Sequence, residues 1–250
     1  ASFFVTMGPD RSGRAIRRAL RPSFLVKMWR TNPFRLYGVR TLLSGTLLPA
    51  RLVGAGAPAL LRQVADAGHE VAPHGWDHVG WQDRIHRLRP ALVRQDLTEA
   101  ARAFESIFGS PPHASAAPGW RTSPEALAVQ DACGLRYASD TRGTAPFRPW
   151  VGDGPLETLQ VPTTMPTMDE LLGRVRDVPG ALLDALRPGL NVFTLHAEVE
   201  GGPLRRAFQT FALRAASAGV AFARLDDVAA RALVAGDELP VAPVVRARIE

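Results

Sequence analysis

Cysteine is nearly absent from this chain of 250 residues, since Cys133 is the only one. A single thiol excludes an internal disulfide, so we expect a reducing compartment. The chain also lacks the run of about 18 or more apolar residues that a membrane-spanning helix needs. No basic-then-apolar leader opens it, and no recognised nucleic-acid module is visible. We therefore expect a cytoplasmic protein with no nucleic-acid partner.

Acidic residues are scarce in the first 51 positions, which contain ten Lys or Arg residues and one acidic residue, Asp10. The rest of the chain carries twenty basic and twenty-three acidic residues, so this segment is the source of the overall net charge of +6. Its cations are interleaved with large apolar side chains such as Trp29 and Phe34. This mixture is typical of a segment that meets an anionic lipid surface.

A basic amphipathic insert is therefore predicted between about residues 11 and 51. From Pro22, a plausible first helical residue, apolar side chains fall on one helical face with cations beside it. The apolar members are Phe24, Leu25, Met28 and Trp29, and the flanking cations are Arg21, Lys27 and Arg30. Such a helix could lie in a membrane interface, but a helix packed on the rest of the protein would show the same pattern.

Short β-branched or aromatic runs alternate with longer helical stretches, which predicts an α/β fold in one domain spanning 1–250. Strands are predicted at 2–7, 69–74, 114–118, 135–140, 158–162, 191–197 and 220–224. The clearest helices are at 58–67, 91–108, 124–133 and 204–218, closed by Gly68, Gly109, Gly134 and Gly219 in turn. The Pro/Gly-rich stretch 144–155 is predicted to be one long loop.

Two histidines, His74 and His78, lie four residues apart just past a predicted strand end. Two neutral imidazoles at such a spacing can bind one metal ion, and active sites of α/β barrels lie where strands end. Two loop histidines with ordinary hydrogen bonds are the alternative, and the spacing alone does not decide.

A third histidine, His196, ends the buried-looking run NVFTLH. Its intrinsic pKa near neutrality suits protonation of a leaving amine, although the pattern alone favours a core histidine that caps the sheet. Glu198 would share its face if the strand continues, which makes it a candidate substrate-binding residue.

Four motifs follow one another along the chain: GHEVAPHGWDH at 68–78, GWR at 119–121, SDTRG at 139–143 and TLHAE at 194–198. This series resembles the polysaccharide-deacetylase (NodB-homology) family across essentially the whole chain. The resemblance implies a distorted (β/α) barrel and metal-dependent hydrolysis of an amide. The longer strings HGWDHVGWQ, SDTRGTAPFRP, VPTTMPTMDE and HAEVEG are similar to members that deformylate an undecaprenyl-phosphate-linked amino-arabinose, a step of lipid A modification that gives resistance to cationic antimicrobial peptides.

The resemblance implies roles for individual residues. His74 and His78 match the metal ligands, and His196 matches the general acid. Arg121 matches the arginine that orients a catalytic aspartate, and Asp140 matches the acid that hydrogen-bonds the catalytic histidine. The metal is usually zinc in this family, although other divalent ions are also compatible with such ligands.

Two residues have a structural interpretation as an alternative to the role that the resemblance implies. Asp140 could instead be a turn residue before Thr141. Trp120 is a candidate substrate-binding residue of the sugar groove, but it could equally cover the core.

An aspartate pair that ends the opening strand of family members, as general base and third metal ligand, is absent here. We therefore expect a longer protein whose first strand precedes Ala1, and only very weak hydrolysis by these 250 residues. Two other functions stay open: deacetylation of a soluble or cell-wall polysaccharide, and non-catalytic binding of lipid or glycan. The basic insert favours the lipid-linked sugar, with the protein peripheral on the cytoplasmic face of the inner membrane.

Overall fold

A computed structural model describes residues 1–20, 28–29, 33–234 and 239–243. Most of the helix predicted from Pro22 lies outside these residues, including Arg21, Phe24, Leu25, Lys27 and Arg30. The chain clusters into two compact units. Unit 1 comprises 1–11, 49–162 and 223–249, whereas unit 2 comprises 12–48, 163–222 and Glu250. The predicted basic insert falls mainly in unit 2, and a single domain over 1–250 stays a prediction.

Short strands are spread along the chain. They are β1 (Ser2–Val5), β2 (Glu70–Pro73), β3 (Ala114–Ser115), β4 (Tyr137–Ala138), β5 (Arg148–Val151), β6 (Gly154–Pro155), β7 (Leu159–Gln160) and β8 (Val241–Pro243). In unit 1, β1 pairs with β2, and β4 pairs with β3 and β7, all in parallel. Ala116 N–H donates to Pro73 O at 3.1 Å, which places β3 next to β2. The carboxyl ends of these strands therefore share one edge.

Helices fill most of the intervening chain. They are α1 (Pro33–Leu43), α2 (Pro58–Asp66), α3 (His78–Arg84), α4 (Pro90–Phe108), α5 (Pro124–Asp131), α6 (Met168–Leu171), α7 (Val178–Asp184), α8 (Ala197–Glu200), α9 (Arg205–Ser217) and α10 (Leu225–Val234). Segments Ser12–Leu20, Ile85–Arg87 and Pro118–Trp120 are 3-10 helices. The four glycines predicted to end helices, at 68, 109, 134 and 219, all have positive φ. Those helix ends are confirmed.

The core of unit 1 lies between the β1–β2 pair and the helices α2 and α4. The alternating apolar faces of these elements meet there, and burial of each large side chain contributes about 1.5–3 kcal/mol. The buried residues of this cluster are Met7, Leu61, Val71, Ala100, Phe104 and Ile107. All four residues of β2 are buried, so the residue after it is held firmly in position.

A separate core holds unit 2 together. Helices α6, α7 and α9 bury a cluster of Met165, Met168, Val178, Leu182, Phe211 and Ala215. Thr167 is the N-cap at the start of α6 and forms a capping box with Glu170. The Thr167 hydroxyl and the Glu170 side chain each accept a hydrogen bond from the other residue's N–H. In the described part of the chain, no helix combines the length and apolar character needed to cross a bilayer.

Three sequence predictions need correction. No strand forms at 191–197, because Thr164 and Met165 both donate to Val192 O and the Thr164 hydroxyl takes the N–H of Val192. No strand forms at 220–224 either. The stretch predicted as a loop at 144–155 contains the antiparallel hairpin of β5 and β6. The α/β class is confirmed, but the described strands form three small sheets rather than a closed barrel.

Candidate active site

The histidines of the GHEVAPHGWDH motif lie at the carboxyl end of β2. His74 directly follows β2, and its N–H donates to Val5 O at 2.8 Å. His78 is the first residue of α3, for which Asp77 is the N-cap. The centroids of the two imidazole rings lie 5.2 Å apart, with 52° between the ring planes. At that separation a nitrogen atom from each ring can reach one ion.

A hydrogen bond fixes the tautomer of His74. Its Nδ1 lies 2.8 Å from Ala116 O, and a carbonyl oxygen can only accept, so Nδ1 carries the proton. The lone pair of the neutral ring is then on Nε2, the nitrogen that would bind a cation. Metal-binding histidines are commonly oriented by such a bond from the other ring nitrogen. The residues present therefore fit a divalent metal ion.

Two carboxylates hold the loop between the histidines. Asp96 of α4 accepts hydrogen bonds from the N–H groups of Trp76, at 2.9 Å, and Asp77, at 3.0 Å. Burial raises the pKa of Asp96, and these two N–H groups partly offset that effect. Asp77 in turn accepts from Gly80 N–H at 2.9 Å and pairs with Arg11 at 2.5 Å. These contacts fix the loop independently of either imidazole.

The GWR motif forms a strained turn beside α3. Gly119 and Trp120 have φ values of 62° and 52°, and Trp120 is the one non-glycine residue in the described chain with positive φ. A bulky side chain in that conformation costs on the order of 1–3 kcal/mol, and such strain is concentrated at functional sites. The indole Nε1 of Trp81 donates to Arg121 O at 2.7 Å. That bond ties the turn to the helix that begins at His78.

Asp140 is almost fully buried two residues past the end of β4. Its N–H donates to Gln160 Oε1 at 3.0 Å, and Gln160 Nε2 donates to its Oδ2 at 2.9 Å. Burial raises the pKa of Asp140 to about 6, with hydrogen bonds from Gln160, Gln130 and the Ala117 backbone acting in the opposite direction. Strongly shifted carboxyl groups of this kind are common at functional sites.

His196 lies in unit 2, immediately before α8. Its N–H donates to Glu200 Oε2 at 2.6 Å, and burial raises the pKa of Glu200 although His196 acts against it. The Nδ1 atom of His196 is buried without a hydrogen-bond partner among the described residues. Glu198 was expected on the same strand face as His196, but the chain becomes helical at Ala197. Glu200 therefore contacts His196, and Glu198 is exposed.

Sequence reasoning missed two other groups near Glu200. The pKa of Tyr37 is raised by burial and then by the negative charges of Asp169, Glu198 and Glu200. Asp169 is buried on α6, where it accepts from the Thr167 hydroxyl at 2.5 Å. Asp169 belongs to the string VPTTMPTMDE. A carboxylate among apolar residues is the sequence signal that could have identified it.

A second group of potential metal ligands lies at the amino ends of the strands. Glu70 begins β2, His113 directly precedes β3, and Asp226 belongs to α10. Their ligand atoms all lie within 4.8 Å of one another, so the described residues contain a group that could hold a metal ion. Nothing in the sequence pattern singled out these three residues.

Hydrogen bonds already engage the carboxylates of that group. Glu70 accepts from the hydroxyls of Ser2 and Tyr137 and from Asp226 N–H, and Arg136 pairs with Asp226. Burial acts to raise the pKa of Glu70, but hydrogen bonds from His113, Ser2 and Tyr137 outweigh it, so the pKa is lowered. We interpret the group as a structural ion-pair cluster.

The predicted site residues thus divide between the units. Unit 1 gathers five of them at the carboxyl ends of its strands: His74, His78, Trp120, Arg121 and Asp140. His196 and Glu198 belong to unit 2. The pairing of Asp140 with His196, and the approach of His196 to the other histidines, stay predictions.

Comparison with known proteins shows which family the chain belongs to. Residues 25–138 match the family model described as polysaccharide deacetylase. A protein of Shewanella sediminis is 38% identical over 227 residues, covering 89% of this chain and 73% of that protein. A protein of Wigglesworthia glossinidia brevipalpis is 34% identical over 234 residues, covering 91% and 82%. Both relatives are named as a probable 4-deoxy-4-formamido-L-arabinose-phosphoundecaprenol deformylase, ArnD.

A solved structure shows the same fold. A protein of Mycobacterium smegmatis described as a polysaccharide deacetylase superposes with a TM-score of 0.61 at 20% identity, covering 100% of this chain and 94% of that one. The chain belongs to the polysaccharide deacetylase family. It is an amide hydrolase of the deformylase and deacetylase kind, as the motif series predicted.

Proposed function

We propose that the protein removes the formyl group from 4-deoxy-4-formamido-L-arabinose carried on undecaprenyl phosphate. Water cleaves the amide C–N bond, which yields formate and a free amino sugar. Both relatives carry that activity in their names, and the aligned region covers most of each protein. The structural observation that carries the proposal is the bond from His74 Nδ1 to Ala116 O. It leaves the lone pair of His74 on Nε2, and the ring of His78 lies 5.2 Å away between centroids, which suits two ligands of one metal ion.

A divalent cation would be held by Nε2 of His74 and by the imidazole of His78. Zinc is the first choice for two neutral imidazoles, and other divalent ions also suit them. A cation bound there supplies Lewis-acid activation of the amide carbonyl and of water.

Each remaining site residue has a proposed role. His196 donates a proton to the departing amine, because its ordinary pKa near neutrality makes it an effective acid. Asp140 stabilises the protonated imidazole of His196. Arg121 orients a catalytic aspartate, as the family resemblance implies. Trp120 and Glu198 contact the sugar.

Formate release tests the proposal directly. The full-length protein is incubated with the lipid-linked formamido sugar, with its N-acetyl analogue and with an N-acetylated polysaccharide. We expect formate from the first at the highest kcat/KM, loss of turnover after chelation, and recovery with zinc. Faster release of acetate from the polysaccharide would overturn the proposal and assign a polysaccharide substrate.

The exposed surface of the basic segment supports a location on the membrane. Its large apolar side chains Ile16, Trp29, Phe34, Val39 and Leu47 are all more than half exposed, and Trp29 is 90% exposed. Arg14 and Arg17, also exposed, lie beside Ile16 on the 3-10 helix, which packs on α1. Exposed apolar and cationic side chains on one segment suit the headgroup region of an anionic bilayer. We propose peripheral binding on the cytoplasmic face of the inner membrane.

Vesicle binding separates the contribution of the cationic side chains from that of the apolar side chains. Replacing Arg14 and Arg17 by Gln should weaken binding to phosphatidylglycerol vesicles by about 1 kcal/mol per charge, and salt should screen this loss. Trp29→Ser and Phe34→Ser should weaken binding by about 1–2 kcal/mol each at any salt concentration, because apolar insertion does not depend on ionic strength. Leu213→Ser, at an exposed site of α9, is the control. Equal binding by all of these folded variants would contradict a membrane-facing segment.

A further inference from the structure

An exposed arginine is stacked on the indole of the strained GWR turn. The guanidinium carbon of Arg142 lies 4.2 Å from the ring centroid of Trp120. Arg142 follows β4 at the same strand edge as His74, two residues after the buried Asp140. No role for Arg142 follows from the reaction itself.

The indole beneath Arg142 is held in a fixed position. A Cβ atom at Gly119 would lie 2.0 Å from Gln82 Nε2, so the turn is packed tightly against α3. Trp120 N–H donates to Ala117 O at 3.2 Å, and Trp81 Nε1 holds the following carbonyl at Arg121. The left-handed backbone of Trp120 is maintained by these contacts in spite of its cost.

The turn that carries the stack is connected to both histidines of the pair. The chain that carries Trp120 begins at Ala116, whose carbonyl oxygen accepts from the imidazole of His74, and the turn contacts α3. A ligand that lies on the indole therefore lies on a turn that contacts the helix of His78, one of the residues proposed to hold the metal.

Stacking uses the face of a guanidinium, and its five N–H groups lie around the edge. That edge matches two oxygens of a phosphate in a bidentate manner, and the ring restrains the side chain before a ligand arrives. The exposed part of an indole suits the C–H face of a sugar. An arginine and an aromatic ring in this arrangement fit a sugar joined to a phosphodiester.

We propose that Arg142, positioned by Trp120, binds the phosphodiester that joins the sugar to its lipid. This inference rests on the proposed function, because it names the group that marks the substrate as lipid-linked. It assigns Arg142 to substrate specificity rather than to the chemical step.

Binding to three probes tests the proposal by calorimetry on the full-length protein. The probes are the formamido sugar on neryl phosphate, the methyl glycoside of the same sugar, and neryl phosphate alone. Arg142→Gln should raise the Kd for both phosphate-bearing probes by about ten- to a hundredfold, since charged hydrogen bonds to phosphate are lost. It should change the Kd for the methyl glycoside by less than about threefold, and Arg142→Lys should recover only part of the loss. Arg94→Gln, which removes an exposed charge from α4, is the control.

The outcomes separate this inference from the proposed reaction. Formate release by the wild type, with equal Kd values for neryl phosphate in wild type and Arg142→Gln, overturns the role of Arg142 alone. Binding of neryl phosphate that depends on Arg142, without formate release, retains the phosphate site and overturns the reaction. Inorganic phosphate that displaces the neryl probes at similar concentrations would assign a site for free anions and overturn the lipid-linked assignment.

Discussion

Polar side chains at the two ends of the parallel strands in unit 1 differ in their hydrogen bonding and in the direction of their pKa shifts. At the amino ends, Glu70 has hydrogen-bond donors from three other elements, and its pKa is lowered. At the carboxyl ends, Asp140 is buried with a raised pKa, and Trp120 keeps a strained backbone. Polar groups that are fully paired stabilise a fold, whereas groups held at a cost are typical of functional sites. We therefore propose the carboxyl ends as the functional site.

The location of the metal is the sharpest test of this comparison, with the largest expected effect. His74→Gln should lower metal affinity and reduce turnover by at least about a thousandfold, because one of few protein ligands is lost. His113→Gln, the matched change at the amino ends, should leave the metal content unchanged. Metal content by atomic emission and formate release give the readouts.

Loss of metal in His113→Gln with retention in His74→Gln would reverse the comparison. The ion would then belong to the Glu70, His113 and Asp226 group. Circular dichroism of both variants shows whether either change has disturbed the fold.

Removal of Glu70 should produce the next largest effect, on stability. Glu70→Ala leaves the hydroxyls of Ser2 and Tyr137 and the N–H of Asp226 without an acceptor, which should lower the free energy of unfolding by about 3–4 kcal/mol. Chemical denaturation measures the loss. Glu157→Ala, which removes an exposed partner of Arg148, is the control and should cost less than about 1 kcal/mol.

A loss at Glu70 no larger than the control would mean that its hydrogen bonds do not stabilise the fold. The amino ends could then no longer be described as the structural end of the strands. Retention of metal binding in Glu70→Ala is expected in either case.

Sequence patterns placed His74 and His78 past a strand end because strand ends and glycine caps leave clear local signals. Arg121 and Asp140 were named from the family resemblance. The strand before His74 and the helices closed by glycine lie within a few residues of their predicted positions. The amino-end cluster had no such signal, since Glu70, His113 and Asp226 are brought together by tertiary packing over long sequence separations. Their arrangement could not be read from local patterns.

The failures of prediction also have physical causes. The run before His196 has the composition of a strand, but a threonine hydroxyl replaces a backbone partner there and no regular ladder forms. The hairpin at 148–155 turns through Gly152 and Asp153, a glycine-containing two-residue loop that should have been recognised as a turn signal. In both cases local polar chemistry, rather than apolar periodicity, decided the structure.

The smallest expected effect concerns the pH dependence of stability. As pH rises, the contribution of Asp140 to the free energy of unfolding should fall, whereas that of Glu70 should increase. The pKa of Asp140 in the folded protein, about 6, exceeds its ordinary value of 3.8, so the folded state binds more protons and stability falls as pH rises through that window. The pKa of Glu70 is lowered, so its contribution is present above its ordinary pKa of 4.5 and is lost as pH falls below it.

Asp140→Asn should therefore raise the free energy of unfolding at pH 7 by on the order of 2 kcal/mol and remove the decline between about pH 4 and pH 6. It should also lower turnover, since a carboxylate is lost from the site. Glu70→Gln should have the opposite effect on stability, destabilising the protein at pH 7 and flattening its loss below about pH 4.5. Urea denaturation from pH 3.5 to 7.5 gives both profiles, with exposed Asp153→Asn as the control. If Asp140→Asn destabilises the protein at pH 7, then the Asp140 carboxylate is stabilised in its charged form, and the two ends do not differ in the way proposed.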